Sequence, residues 1–550
     1  MNLQTFCSAI TRTTTQAARV VRGFCTGLSM TLALMSPPSL AAPGDLDVST
    51  FGPYSGLPYG QFPVTTSQFF KLHDAVVLPD DRIVAGGTCT ATGATPAGTR
   101  FCIAVWTAAG SGAVLYLHSS TVNRVSPSAG GAIAAQPDGK IVVTAPCRYS
   151  AISGSVNQFC TVRFNADFTS DTGFATGFQN TSPSPSTNGD SYANAVALQP
   201  DGKIVVAGQC SAGTGTAFCA ARLLPDGNPD STFGGTSSLR TFVGVSTTAS
   251  LDRVKRISLS TSGQIYLGGD CKDVTGLYRA CVARLNADGS IDQPFTGTSF
   301  KPLVLPRMSE SSADDEVTDM VMQANGEFVF AGACRNASST IRVPCALRMG
   351  APNATQFTPG SYYLGAQVST GTSILREPVV PGTAVSIARI FMQTDGKMLA
   401  LLQYGANFTQ HRVRRYNEDG SIDANWNQVS FDFNAATDNA SGFAVGLALG
   451  QQRSNKVIAM GFTQSINTAN PQARVIRLDN RAPPGRSCSG DIDGDGQVLP
   501  TTDGLLLTRV AAGLTGNAVI NGAIGANAPR NTWPEIRDYL ITQCGMVVAP

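Results

Sequence analysis

Short apolar runs rich in Val and Ile recur along the chain, each entered or left through a polar turn such as Pro200-Asp201-Gly202 or Pro225-Asp226-Gly227. Asp-Gly turns between apolar, β-branched runs are hairpin signals. The pattern repeats. An anchor position, usually a Lys that follows Asp-Gly, recurs at Arg82, Lys140, Lys203, Gln264, Glu327, Lys397 and Lys456, at intervals of 58, 63, 61, 63, 70 and 59 residues. The unit between anchors reads as four short strands. The first ends at Pro200-Asp201-Gly202, and the second is Ile204-Val205-Val206. The third runs from the second cysteine of the unit to Pro225-Asp226-Gly227, and the fourth carries a D-x-x-F pattern, as at Asp230 to Phe233.

Four antiparallel strands repeated radially describe a β-propeller, and seven anchors predict seven blades over residues 42–481. The last copy stops at Arg477-Leu478-Asp479-Asn480 without a fourth strand, whereas Gly44 to Gly52 reads as a fourth strand alone. Residues 44–52 are therefore expected to complete the last blade, which would close the ring and remove two unpaired sheet edges. The fold class expected is all-β: a seven-bladed propeller closed by the N-terminal strand, plus a small α-helical module at the C-terminus.

The repeat, in the form QPDGKIVVAG followed by ARLNADGSIDxxF, resembles the delta-60 repeat of exported bacterial proteins over residues 44–480. That resemblance implies a secreted or surface repeat protein and supplies no catalytic residues. Within each unit, Arg163, Arg222, Arg284, Arg348, Arg415 and Arg477 lie three residues after the second-cysteine position, and Asp47, Asp171, Asp230, Asp292 and Asp423 recur in the D-x-x-F segment. Groups that scale with the number of repeats predict a structural Arg–Asp pair in every blade, because catalytic groups are few and unevenly placed. His73, His118 and His411 are expected to be structural or exposed. No G-x-S-x-G, H-E-x-x-H or phosphate-binding motif occurs.

Residues 1–41 read as a secretory signal: Arg12, Arg19 and Arg22, then an apolar run from Phe24 to Met35, then Ser39-Leu40-Ala41, with cleavage after Ala41. The run is too short to span a bilayer. The expected location is outside the cytoplasm: extracellular, on the cell surface or in the periplasm. Cys7 and Cys25 leave with the signal. The remaining cysteines fall in pairs: Cys89/Cys102, Cys147/Cys160, Cys210/Cys219, Cys271/Cys281, Cys334/Cys345 and Cys488/Cys544. An exported chain favours disulfides, and zinc would need C-x-x-C or His groupings that are absent. The copies anchored at Lys397 and Lys456 lack the pair, so the bridges stiffen loops and are not needed for the fold. A net charge of +2 for the whole chain excludes a nucleic-acid binder, which needs clustered Lys and Arg.

After the linker 482–487 the composition changes. In residues 488–550, Asp491, Asp493 and Asp495 are spaced as the first half of an EF-hand loop, with Gly496 for the turn and Gln497 offering a carbonyl. Asp503 is the closing acid, one residue late, and opens a leucine-rich helix to Ala512. A second helix is expected at Trp533 to Thr542. This segment resembles a dockerin, which implies Ca²⁺ held by Asp491, Asp493, Asp495, Gln497 and Asp503, and a cohesin-like partner. The second half, Asn521 to Asn531, has no spaced acids, which counts against such a partner. Cys488 and Cys544 would clip the ends of the module together.

The function expected is a non-catalytic, exported binding protein. Variable loops on a rigid scaffold, here 90–101, 148–159, 211–218, 272–280, 335–344, 405–410 and 464–473, together with the connector 354–385, would present a glycan or protein ligand. The alternatives are a polysaccharide-acting propeller enzyme, hydrolase or lyase, and a structural surface-attachment protein.

Overall fold

A computed structural model of the chain describes residues 46–47, 59–61, 70–90, 99–111, 114–119, 124–125, 130–148, 156–175, 189–212, 215–234, 239–241, 251–296, 301–309, 312–323, 325–335, 342–350, 367–369, 372–376, 385–405, 410–427, 430–431, 433, 443–464, 472–480, 490–512, 514–526 and 528–542. The signal region, Cys488, Cys544, Tyr362 and Tyr363, and most of the long loops lie outside the described residues. No described helix is long and apolar enough to cross a membrane. Residues 43–481 form one compact unit, and the residues from Ala482 onward belong to another.

The larger unit is all-β. Its described strands form seven antiparallel sheets, which are numbered here in chain order. Sheet 1 holds Phe70–Val77, Ile83–Thr90, Thr99–Trp106 and Val114–Leu117. In sheet 2, Arg124–Val125 and Ala132–Ala135 both pair with Ile141–Arg148, which is followed by Asn157–Phe164. Sheet 3 holds Ser191–Leu198, Ile204–Ala212, Gly215–Leu223 and Leu239–Thr241. Sheet 4 holds Arg253–Leu259, Ile265–Lys272, Tyr278–Leu285 and Leu303–Val304. Sheet 5 holds Glu316–Met322, Phe328–Arg335, Arg342–Met349 and Thr372–Arg376, with Gln367–Ser369 on its outer edge. Sheet 6 holds Val385–Met392, Met398–Tyr404, Gln410–Tyr416 and Ser430–Phe431. Sheet 7 combines Phe443–Gln451, Val457–Gln464 and Gln472–Leu478 with Tyr59–Gln61 from the start of the chain.

The apolar runs are continuous because the second strand of each sheet is buried on both faces. In sheet 3, Ile204 and Val206 pack towards sheet 2, whereas Val205 and Ala207 pack towards sheet 4. Every core cluster of the larger unit spans two consecutive sheets. One of them joins Leu72, Ala85 and Trp106 of sheet 1 to Ile458, Met460 and Val475 of sheet 7.

The D-x-x-F segments are turns and not the fourth strands expected. Asp230 Oδ1 accepts hydrogen bonds from the Thr232 N–H and hydroxyl, and Phe233 N–H donates to the Asp230 carbonyl at 3.1 Å. Such local side-chain bonds compete with ladder pairing. The outer strand follows only at Leu239–Thr241. The N-terminus obeys the same rule. Leu46 bridges Leu478 and Asp47 N–H donates to the Arg477 carbonyl, but the outer strand of sheet 7 is Tyr59–Gln61, in register with Ile476 to Arg474.

The recurring arginines take the role expected of them. Arg163, Arg222, Arg284 and Arg415 each donate from Nε to the turn aspartate at 2.7 to 2.8 Å. Each guanidinium also lies over the aromatic ring that ends its turn: Phe174, Phe233, Phe295 and Trp426. Arg477 reaches Asp47 at 3.1 Å. In sheet 5 the anchor is Glu327, and Glu327 itself takes Arg348 at 2.8 Å, so the acid comes from the anchor and not from the turn.

Four of the expected disulfides form: Cys89–Cys102, Cys147–Cys160, Cys210–Cys219 and Cys271–Cys281. Cys334 and Cys345 do not, which corrects the expectation for that pair. They occupy the same diagonal register as the bonded pairs, but Cys345 Sγ is turned onto Met308 Sδ at 4.0 Å, and both cysteines are buried.

The C-terminal unit contains helices Asp503–Ala511, Asn517–Ile520 and Trp533–Thr542 around Ile492, Leu506, Val519, Ile536 and Leu540. Glu535 accepts hydrogen bonds from the Asn531 and Thr532 N–H groups and from the Thr532 hydroxyl, and so caps the last helix.

Two predictions follow from the packing. Arg222→Ala removes the guanidinium from Asp230, which keeps Lys203 at 3.3 Å, and should cost about 1.5–3 kcal/mol in urea unfolding; a loss below about 0.5 kcal/mol would contradict the role of the clamp. His411 is fully buried among Phe431 and Phe433, neither ring nitrogen has a hydrogen-bond partner among the described residues, and burial lowers its pKa to about 3. Burial likewise lowers His118 to about 4, against an ordinary 6.5. The unfolded chain therefore binds these protons first. Stability is complete above the unfolded value and falls as pH drops through it towards the folded values. His411→Leu should flatten that loss in melts at pH 7 and pH 5, and an unchanged slope would refute the assignment.

Candidate functional site

The first strands of the sheets carry a shared irregularity. Register shifts fall at His73, Asn194, Lys255, Thr318, Ala388 and Leu447, each a bulge that places two residues opposite one. In five sheets the bulge faces a glycine on the second strand, Gly87, Gly208, Gly269, Gly332 or Gly461, whereas Leu402 stands there in sheet 6. A Cβ on Gly208 would lie 1.8 Å from the Tyr192 carbonyl oxygen, and one on Gly332 would lie 1.8 Å from that of Glu316. The glycine of the V-A-G motif is therefore the imprint of the bulge on the sequence.

The residue after each bulge lies eight positions before the anchor. Read in sheet order with Ala132 for sheet 2, this position holds Asp74, Ala132, Ala195, Arg256, Asp319, Arg389 and Ala448. The structure joins the charged members. Arg256 Nε donates to Asp319 Oδ1 at 2.6 Å, and Arg256 Nη1 donates to Asp74 Oδ2 at 2.8 Å, which links sheet 4 to both sheet 5 and sheet 1. Asp319 Oδ2 accepts the Ile390 N–H at 2.9 Å. Burial weighs against the charge of Arg256, but Asp319 and Asp74 outweigh it and raise its pKa above the ordinary value. Arg389 differs. Its Nε donates to the Leu447 carbonyl at 2.7 Å and its Nη1 to the Ala388 carbonyl at 2.9 Å. No carboxylate among the described residues forms an ion pair with it, and burial and the like charge of Arg256 lower its pKa.

A second group begins beside this tier. Arg253 pairs with Asp270, and Lys255 Nζ lies 3.7 Å from the same carboxylate. Glu316 pairs with Arg342, and Arg253 lies over the Tyr278 ring at 5.7 Å. Burial is the main cause that lowers the Lys255 pKa; Asp270 opposes it, and Arg253 and Arg389 add to the lowering.

This arrangement removes the argument for a non-catalytic chain. That expectation rested on even placement of the charged groups, yet the position eight residues before the anchor is charged in four sheets and alanine in three. The repeat register held the signal, because only alignment on the anchors shows that this one position changes from blade to blade. Of the loops expected to bind, 272–280 is described throughout: its Asp273 caps a turn through the Thr275 N–H and hydroxyl, and Val274 is exposed at its tip.

In the C-terminal unit, Asp491, Asp493 and Asp503 bring carboxylate oxygens within 4.8 Å of one another. Asp495 is not in that group; its Oδ1 accepts the Gln497 N–H at 2.8 Å. Asp493 Oδ2 accepts the Gly525 N–H at 2.6 Å, while Asp503 accepts from the Leu499 and Ile492 N–H groups. Arg530 gives its donors to the Ile492 and Asp491 carbonyls and not to the carboxylates. Three converging carboxylates, two of them buried, suit a hard cation.

Residues 136–174, 199–233 and 261–295 match the family model described as "Domain of unknown function (DUF5122) beta-propeller". No curated protein matches the chain. Among solved structures, a polysaccharide lyase, "PL25-Ulvanlyase bound to -[GlcA(1-4)Rha3S]-", is similar at 10% identity and TM-score 0.44, covering 76% of this chain and 96% of its own. The polysaccharide lyase Uly1 is similar at 10% identity and TM-score 0.43, covering 80% and 98%. An endo-1,5-alpha-L-arabinanase from Thermotoga petrophila RKU-1 is similar at 12% identity and TM-score 0.28, covering 75% and 99%. These three are enzymes by their printed descriptions. The expectation that this chain is not an enzyme is withdrawn on its own residues, the uneven charge at the post-bulge position. The chain is a propeller-type repeat protein.

Proposed function

We propose that the chain is an exported, polysaccharide-acting propeller: a closed ring of seven blades whose working site is the charged tier on its axis. The observation that carries this reading is the uneven charge at one repeat position, Asp74, Arg256, Asp319 and Arg389 against three alanines. A structural position in a repeat keeps a matched pair in most copies, as the clamps of Arg163, Arg222, Arg284 and Arg415 do. This one departs from the repeat where all the first strands converge, and concave centres built from several elements are where ligands bind. Carboxylates and guanidiniums held side by side offer acceptors and paired donors to vicinal hydroxyls. Closure is supported by the core shared between sheets 1 and 7 and by the contacts of Leu46 and Asp47 with the last strand. Export is supported by the signal-like residues 1–41 and by disulfides in four sheets.

We also propose that the C-terminal unit is a dockerin-like module. Asp491, Asp493 and Asp503 would hold one Ca²⁺ there, with Asp495 and the Gln497 carbonyl completing the shell. The ion would tie the loop to the first turn of the helix Asp503–Ala511.

The first proposal is tested by incubating the full mature chain with neutral and acidic polysaccharides and measuring released chain ends. Release from at least one polymer is expected, and it should fall by about tenfold or more in Asp319→Asn, the size of effect expected when a charged group in a site is neutralised. No release from any polymer would sink it. The second is tested by calorimetry with Ca²⁺ on the chelator-treated full chain. One binding event is expected, abolished by Asp493→Asn; no heat, or two events, would contradict it.

A further inference from the structure

The charges on the axis do not cancel group by group. Arg256 is satisfied twice, by Asp74 and Asp319. Glu316 is taken by Arg342. Asp270 alone serves both Arg253 and Lys255, and Lys255 is the more distant of the two, at 3.7 Å. Arg389 has only carbonyl partners among its hydrogen bonds: Leu447 at 2.7 Å, Ala388 at 2.9 Å and Thr318 at 3.4 Å. Five cations, Arg253, Lys255, Arg256, Arg342 and Arg389, thus meet four carboxylates, Asp74, Asp270, Glu316 and Asp319. The surplus is one cation, and Lys255 and Arg389 are the two most loosely held. The two flank the bulge of sheet 5: Arg389 reaches its Thr318 carbonyl from sheet 6, and Arg256, next to Lys255 in the chain, holds its Asp319 from sheet 4.

A half-buried guanidinium whose hydrogen bonds go only to carbonyls, with Asp319 and Asp74 acting on it only through space, is open to an anion that pairs with it directly. A space of about 260 Å³ next to Ala75 and Ala448 is walled mainly by Val77, Phe391, Leu449 and Met460, with Gln451 its polar side chain, and such walls disfavour a charge.

We propose that Arg389 and Lys255 receive the anionic substituent of an acidic sugar, a carboxylate or a sulfate ester, so that the polysaccharide acted on is an acidic one. This rests on the polysaccharide-acting reading above and narrows it. Arg389 offers a planar pair of donors suited to a carboxylate or sulfate, and Lys255 offers a point charge beside it. Arg256 and its two aspartates hold the floor of the site rigid and present acceptors to neighbouring hydroxyls.

The test uses the full mature chain in affinity electrophoresis through gels cast with polygalacturonate, with a carrageenan carrying sulfate but no uronate, or with neutral arabinan. Retardation by one or both acidic polymers and not by arabinan is expected, and the acidic polymer that retards identifies carboxylate or sulfate as the group received. Arg389→Gln and Lys255→Gln should each weaken retardation by about tenfold, the size of one lost charge-assisted hydrogen bond, with melting temperature unchanged. Arg389→Lys should restore part of it. Retardation by arabinan equal to that by the acidic polymers, or unchanged retardation of both glutamine variants, would overturn the inference. If a neutral polymer is bound and cut while the acidic ones are not, the polysaccharide-acting reading survives and only the acidic class falls. If no polymer is bound or cut, both fall.

Discussion

In six of the seven described sheets a buried arginine folds back onto an aspartate or, in sheet 5, onto Glu327, and five of the six also reach forward to the next sheet; this contact holds the structure together. Arg163 Nη1 donates to the Pro225 carbonyl at 2.6 Å, and Arg222 Nη1 to the Ala287 carbonyl at 2.7 Å. Arg348 reaches the Glu418 carbonyl, and Arg415 reaches Asn480 at 2.6 Å. Arg477 reaches Ala108 of sheet 1 at 2.9 Å, while its Nε holds Asp47 from the start of the chain. One guanidinium thus satisfies a turn and an inter-sheet carbonyl, and in several sheets it also covers an aromatic ring. Its planar fork of donors suits this role in a way that lysine does not. Because the charge is buried, it must be fully partnered, and that requirement fixes where each turn sits relative to the next sheet.

The same economy explains the first strands. A bulge at a constant place re-aims one residue in six of the seven sheets, and in five of them a glycine opposite makes room for it. Where the re-aimed residue is Asp or Arg, the charges meet across sheets, as Arg256 does with Asp74 and Asp319, and must be balanced there. The scaffold repeats while the axis does not. This division separates the residues that build the protein from those proposed to act.

Much of the scaffold was legible in the sequence. The anchors, the Asp-Gly turns and the apolar runs locate the strands, because turn chemistry and burial on both faces leave strong local signals. The helix Trp533–Thr542 follows from its apolar spacing and the Thr532/Glu535 cap. The D-x-x-F segments were misread as strands because an aspartate that bonds to its own backbone imitates a strand end only in spacing. The Cys334/Cys345 pair shares its register with four bonded pairs, so spacing alone could not distinguish it. The axial tier was present in the sequence but hidden. Its members lie in four different repeats, and nothing local separates Arg256 from Lys255 or Arg253 until a bulge assigns them different directions.

The account depends on the axis as the place where a polysaccharide is bound. A crystal structure of the mature chain soaked with an acidic oligosaccharide tests this most directly. The account predicts a sugar on the axis, with its charged group against Arg389 and Lys255 and its hydroxyls near Asp74 and Asp319. A well-ordered sugar held only by outer strands or by the loops between second and third strands, with the axial tier unchanged, would contradict it.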